Sequence, residues 1–356
     1  MARFDVFYYG DVVCTAHPIN PRRVLQEAGD EFLALVAETG DEDVLTRIYG
    51  DSLVQRMIDI GVIRRCGDDI VFDTPVIMED DAETLTGLFR GEAERLASML
   101  AHHREELYAL VRTIRNGFTE AVNLYHILCG MVLDGRMFDD LCANGTVAVS
   151  RLHPSGMDYL IILYERCEAL DRLSRGLLCS WNRLIGANCV LQSFGDADGD
   201  RHDFYRAYRL QALTRAEGQF AQCALLPPKE ELLDAAMSLA LTGSCAPPML
   251  RLLQKFGYAG DGRIIVPVFR QEDESVVKAV HALVRETLLQ PMTTLLQHCE
   301  LDLTAVRHGV NKAEIANELY HILFGQINEA LVSLGVVAEP ASHPSEGRYL
   351  KSIQLC

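Results

Sequence analysis

Residues 124–130 read LYHILCG, and residues 319–325 read LYHILFG. Six of the seven positions agree, which is the signature of an internal repeat. Further matches keep the same order along the chain. HPS at 153–155, followed by Tyr159 and Leu160, returns as HPS at 343–345, followed by Tyr349 and Leu350. Upstream, GVIRRCGDDIVFDTPVI from Gly61 parallels GYAGDGRIIVPVF from Gly257, and each runs into an acidic helix start, MEDDAETL or RQEDESVV. NPRRVLQEA from Asn20 parallels PPKEELLDA from Pro227, and RFDVFYYG from Arg3 resembles RHDFYRAY from Arg201. The order predicts two copies of one module, residues 1–165 and 200–356, joined by a connector at 166–199.

The second copy shows the periodicities most clearly. KEELLDAAMSLAL carries apolar residues at Leu232, Leu233, Ala236 and Leu239, the spacing of a helix. MLRLLQKFG reads as a short helix ended by Gly257. The Gly-Asp-Gly turn in YAGDGRIIVPVF predicts a hairpin. Asp273 or Glu274 opens a helix expected to stop or kink at Pro291. Asn311 is a fitting N-cap for an apolar stripe running from Ile315 to Leu334, which Gly335 ends. VVAEPASHPSEGRYLKSIQL reads as strand, turn, strand, and CVLQSF and FYRAYRL as two further strands.

The fold class is therefore mainly α with small β-hairpins (α+β), built as an internally duplicated module. Helix, glycine and two-stranded ribbon occur in that order twice in each copy, before and after the long central helix. In this respect KAEIANELYHILFGQINEALVSLGVVAEP and GRYLKSIQL, with their counterparts in the first copy, resemble tandem winged-helix regulators and scaffolds. The resemblance implies a transcriptional regulator or scaffold that binds DNA or a protein partner; Asp5 and Asp11, which interrupt MARFDVFYYGD before a long apolar core can form, read against a signal peptide and make a cytoplasmic location the expectation. A helix-turn-helix would turn where Tyr320 stands, so an unbroken helix is the open alternative there.

Lys312, Gln326, Arg348 and Lys351 are the residues this reading offers to DNA or a partner, on the last helix and wing. Glu314, Glu318 and Glu329 on the same helix oppose a phosphate backbone. His126 and His321 stand in equivalent places and would be the ligands of a metal or haem in the other reading, a sensor with its site between the repeats. Against it, no Cys or carboxylate recurs beside them, because Cys129 is replaced by Phe324. Tyr125 with Gly130 and Tyr320 with Gly325 form the structural part of the motif. A glycine inside a helix costs about 1 kcal/mol, and a close approach by a neighbouring element offsets that cost.

The formal charge of −17 over 356 residues opposes sequence-independent DNA binding over the whole surface but leaves room for a local basic face. No apolar run reaches the roughly 20 residues of a membrane span. The eleven cysteines lack a CxxC pair, so reduced, buried thiols are expected and no cofactor is called for. DADGDRHD at 196–203 places Arg201 and Ala207 where a calcium loop needs Gly and Glu. No GxSxG, P-loop, Rossmann glycine pattern or HExxH is present, and the reading is non-enzymatic. Homo-oligomerisation is left open.

Overall fold

The structure is a computed structural model and describes residues 3–10, 19–174, 176–197, 200–216, 226–297 and 302–356. Strand β1 (Phe4–Gly10) precedes helices α1 (Pro21–Glu38), α2 (Glu42–Tyr49) and α3 (Asp51–Asp59), the hairpin β2 (Ile63–Cys66) and β3 (Asp69–Phe72), and the short β4 (Val76–Ile77). Helices α4 (Asp81–His102) and α5 (Arg104–Val111) lead to α6 (Glu120–Leu124), which passes into a π-helical segment, Tyr125–Met137, and then α7 (Phe138–Ala143). β5 (Arg151–Leu152), β6 (Asp158–Glu165), α8 (Glu168–Ser174), β7 (Leu178–Ile185), β8 (Cys189–Asp196) and α9 (Phe204–Ala216) follow. The remaining chain forms α10 (Lys229–Thr242), α11 (Pro247–Lys255), β9 (Ala259–Gly260), β10 (Arg263–Ile264), β11 (Val268–Phe269), α12 (Glu274–Gln297), α13 (Thr304–Arg307), α14 (Lys312–Ser333), β12 (Ser342–His343) and β13 (Gly347–Leu355). The class is mixed helix and strand, α+β.

Local chemistry sets several of these boundaries. The Asn20 carboxamide oxygen accepts from Arg22 N at 3.0 Å, and Pro21 opens α1 where its missing N–H costs nothing. Asp41 caps α2 by accepting from Val44 N, and Asn311 caps α14 by accepting from Ala313 N. Gly61 and Gly257, both at positive φ, end the helix before each hairpin, as Gly145 ends α7 and Gly335 ends α14. Pro291 does not stop α12, which runs on to Gln297, and α14 is the unbroken helix left open at Tyr320, so the last helix contains no helix-turn-helix. One expectation is corrected. FYRAYRL is the start of α9 rather than a strand, because the Asp203 carboxylate accepts from Arg206 N at 2.8 Å and caps it.

The chain forms two compact units, each gathered from three stretches. Unit 1 holds Met1–Gly91, Asp139–Arg175 and Gln290–Leu323; unit 2 holds Glu92–Phe138, Gly176–Leu289 and Phe324–Cys356. Pieces of both sequence copies thus enter each unit. In unit 1, Ala148 N donates to Ala313 O at 2.9 Å; in unit 2, Ala338 N donates to Ala121 O at 3.0 Å. The 166–199 stretch, read as a connector, supplies β7 and β8 to the unit 2 sheet.

The two sheets follow one plan. In unit 1 the order is β1-β6-β4, with β5 folded back on β6; in unit 2 it is β7-β8-β13-β11, with β12 folded back on β13. The long strand of each is antiparallel to β1 or β8 and parallel to β4 or β11. Leu163 N donates to Pro75 O and Ile353 N to Pro267 O, each at 2.9 Å. Gly10 stands opposite Tyr159 and Gly195 opposite Tyr349. A Cβ at Gly10 would lie 2.6 Å from Asp158 O, and one at Gly195 2.0 Å from Arg348 O. Glycine is required there because another backbone passes too close for any side chain. The counterpart of β1 is therefore β8, not RHDFYRAY. The repeated HPS turn also gains a role. The His153 ring stacks on Tyr159 at 3.8 Å between centroids, and His343 lies 4.8 Å from Tyr349.

Fully buried Phe32, Leu45, Met57 and Phe72 fill the core of unit 1. In unit 2, Leu191, Phe204, Leu232, Leu253, Tyr258 and Ile353 pack α9, α10 and α11 on the sheet. Each such side chain contributes about 1.5–3 kcal/mol by leaving water.

Candidate functional site

Two of the four residues offered to DNA or a partner lie on β13, and both cations are occupied. Arg348 Nη1 donates to Glu329 Oε2 at 3.0 Å, Nη2 to Asp196 Oδ1 at 2.9 Å, Glu329 Oε1 at 2.6 Å and Gly176 O at 2.5 Å. Hydrogen bonding to Glu329 holds its pKa above the usual arginine value, although burial works against it. Lys351 Nζ donates to Phe256 O at 2.6 Å and sits over the rings of Tyr349 and Tyr258, and burial lowers its pKa. Lys312 is exposed at the start of α14 in unit 1, and Gln326 is half-buried in unit 2. Arg348 and Lys351, three residues apart on β13, point to opposite faces of the strand, one onto Asp196 and Glu329 and the other onto Phe256.

His126 lies in unit 2 and His321 in unit 1. His126 ends a polar chain that crosses three adjacent strands. Trp181 Nε1 on β7 donates to Gln192 Oε1 on β8 at 3.1 Å. Gln192 Nε2 donates to Ser352 Oγ on β13 at 3.0 Å, and Ser352 Oγ lies 3.3 Å from His126 Nδ1. His126 Nε2 is buried and has no hydrogen-bond partner among the described residues. Burial pushes the imidazole pKa down to about 3, so the ring is neutral at pH 7 and does not serve as an acid there. His321 is half-buried, with Nδ1 2.8 Å from Asn317 O and its ring 5.3 Å from that of Tyr9. Among the described residues, no group of three His, Cys, Asp or Glu side chains could hold a metal.

The rest of the motif is structural where it can be followed. Tyr125 OH donates to Phe194 O at 3.0 Å, tying the π-helical segment to β8. Tyr320 is fully buried on α14. Gly130 faces the Phe194 ring, and Gly325 faces Leu177 and Cys179 at the start of β7. The sequence reading missed Trp181, Gln192 and Ser352, whose only signal was polarity inside apolar strand runs.

It also missed a helix–hairpin surface whose cations have no ion-pair partner among the described residues. In unit 1, α3 and the β2–β3 hairpin carry two half-buried arginines, Arg56 and Arg64, and an exposed one, Arg65, all already paired. Arg56 joins Glu27, Arg65 joins Glu42 at 2.8 Å, and Arg64 lies 3.4 Å from Asp73. In unit 2, α11 and the β9–β10 hairpin expose Arg251, Gln254, Lys255 and Arg263. Arg251 and Lys255 share one helix face at i and i+4. No ion pair among the described residues engages Arg251, Lys255 or Arg263. The spacing of the two basic residues in RLLQK was the available signal. No family model, curated protein or solved structure matches the chain.

Proposed function

We propose that the chain is a non-enzymatic regulatory protein, an acidic body built from a duplicated winged-helix-like module, which contacts duplex DNA through α11 and the β9–β10 hairpin. Support for the module comes from the order α1, α2, α3, β2, β3, with Asp41 bridging Asp69 beside the turn of the hairpin. This is the order of a winged helix, in which the last helix enters a groove. The observation that carries the DNA reading is the row Arg251, Gln254, Lys255 and Arg263, solvent-exposed and without carboxylate partners among the described residues, in a chain of net charge −17. Arginine and lysine neutralise phosphates, and glutamine reads base edges. The equivalent face of unit 1 has its arginines paired and serves the fold.

Fluorescence anisotropy with a labelled duplex, titrated between 50 and 200 mM salt, tests this. Three phosphate contacts give a slope of log K against log salt of about −3, or about a 40-fold loss over that range. The triple variant Arg251→Ala, Lys255→Ala, Arg263→Ala should lose binding and the slope together. Binding that survives in the triple variant, or no binding by the parent at 50 mM salt, refutes the assignment.

A further inference from the structure

β1 and β8 occupy the same place in their sheets, but their outer edges differ. The outer edge of β8 is covered along its length by β7, paired antiparallel from Ile185↔Val190 to Leu178↔Asp196, and every residue of β8 is buried. No strand among the described residues covers the outer edge of β1, and only Phe4 of its seven residues is fully buried. Phe7 is 46 % exposed.

The backbone direction follows from the ladder. Arg166 N donates to Arg3 O at 2.7 Å, so Arg3 belongs to the residues that bond toward β6. Alternation then turns Phe4, Val6 and Tyr8 outward. The Asp30 carboxylate on α1 accepts from Phe4 N at 2.8 Å and closes that end. Val6 and Tyr8 keep outward N–H and C=O groups that nothing among the described residues engages. An uncovered edge of this kind is a template for another strand.

We infer that this edge pairs with a second copy of the chain, β1 against β1 antiparallel about a two-fold axis at Phe7. This is the symmetric register that uses both free residues fully, because Val6 of one protomer meets Tyr8 of its partner and the reverse. It places Phe7 opposite Phe7 as a non-hydrogen-bonded pair, in which side chains approach most closely, and aromatic pairs are favoured there. It sets Asp5 against Tyr9, so no like charges face each other. The sheet of unit 1 then continues into its partner, as the sheet of unit 2 continues into β7.

Light scattering coupled to size exclusion, from 1 to 200 μM full-length chain, reads the outcome. The parent should pass from monomer to dimer over that range. Phe7→Asp and Phe7→Lys, each alone, should remain folded and monomeric, because each sets two like charges across the axis; both lose the edge-on contact of Phe7 with Tyr164, 5.6 Å between centroids, so the midpoint of each falls below that of the parent. Mixed in equal amounts they should form a dimer. Val6→Pro, which removes an outward donor that β6 does not use, should also be monomeric. A parent that stays monomeric throughout, as when another segment of the same chain covers the edge, overturns the inference. A dimer that persists in Phe7→Asp and Val6→Pro, or a mixture that stays monomeric, overturns it equally.

Discussion

Replacing Gly325 by alanine puts a methyl group 3.0 Å from Leu177 Cβ, 3.1 Å from Cys179 Cβ and 3.2 Å from Leu177 Cδ1. Carbon atoms prefer about 3.5–4.0 Å, and a Cβ is fixed by its backbone, so the start of β7 must retreat by a few tenths of an ångström. Such overpacking costs about 1–3 kcal/mol, against a helix-propensity gain of about 1 kcal/mol for Gly→Ala. The net is a loss of roughly 0–2 kcal/mol. Gly130, at the matching place in the motif, differs. Its methyl would meet Phe194 Cδ2 at 3.4 Å and Cγ at 3.5 Å, ordinary contact distances that require no retreat. Gly130→Ala should therefore stabilise by about 0.4–1 kcal/mol. The sequence alone predicts a loss at both glycines; the geometry separates them. Equilibrium urea unfolding of the two variants, checked by calorimetry, decides. Equal shifts in one direction, or Gly325→Ala stabilising by as much as Gly130→Ala, would show that β7 does not hold the glycine helix in place.

Gly195→Ala should be the most damaging glycine substitution, beyond the usual 1–3 kcal/mol of overpacking, since its Cβ would lie 2.0 Å from a β13 carbonyl oxygen; a soluble variant with parental midpoint would contradict the register. His126 is held neutral with a pKa of about 3, below its unfolded value near 6.5. Its contribution is thus lost as pH falls from about 6.5, at about 1.4 kcal/mol per unit, and the stability of His126→Gln measured from pH 7 to 4 should fall less steeply than that of the parent. Arg348→Ala leaves Asp196, buried, and Glu329 without their cation. It should cost about 2–3 kcal/mol, less than the 3–5 of a fully buried pair because the arginine is a quarter exposed, and it should leave DNA affinity unchanged once the folded fraction is allowed for. Cys129 and Cys189 are buried and burial pushes both thiols up, Cys189 to about 12, while Cys66 and Cys356 are exposed. An aromatic disulfide reagent should label the exposed pair in the native protein and the buried pair only after unfolding; rapid native labelling of Cys129 would mean that unit 2 opens locally.

The sequence by itself determined what depends on neighbours along the chain. The stripe from Ile315 to Leu334 between Asn311 and Gly335 is α14 within a residue, because cap, period and stop act over one turn. Leu232, Leu233, Ala236 and Leu239 are the buried face of α10 for the same reason. The Gly-Asp-Gly turn became a hairpin. The sequence also registered Leu-Tyr-His-Ile-Leu twice, which pointed to the elements that matter. What it could not carry was the partner of each strand. Val76–Ile77 and Val268–Phe269 look like hairpin continuations, yet each pairs in parallel with a strand far along the chain. Gly10 and Gly195 could be recognised as equivalents only once Asp158 and Arg348 were seen to cross them. Arg348 and Lys351 read as a basic wing, and the fold turned them inward onto Glu329, Asp196 and Phe256. Whether a cation is free for a partner is settled by which carboxylates and carbonyls lie within a few ångströms of it, and those come from residues whose sequence separation says nothing about their distance.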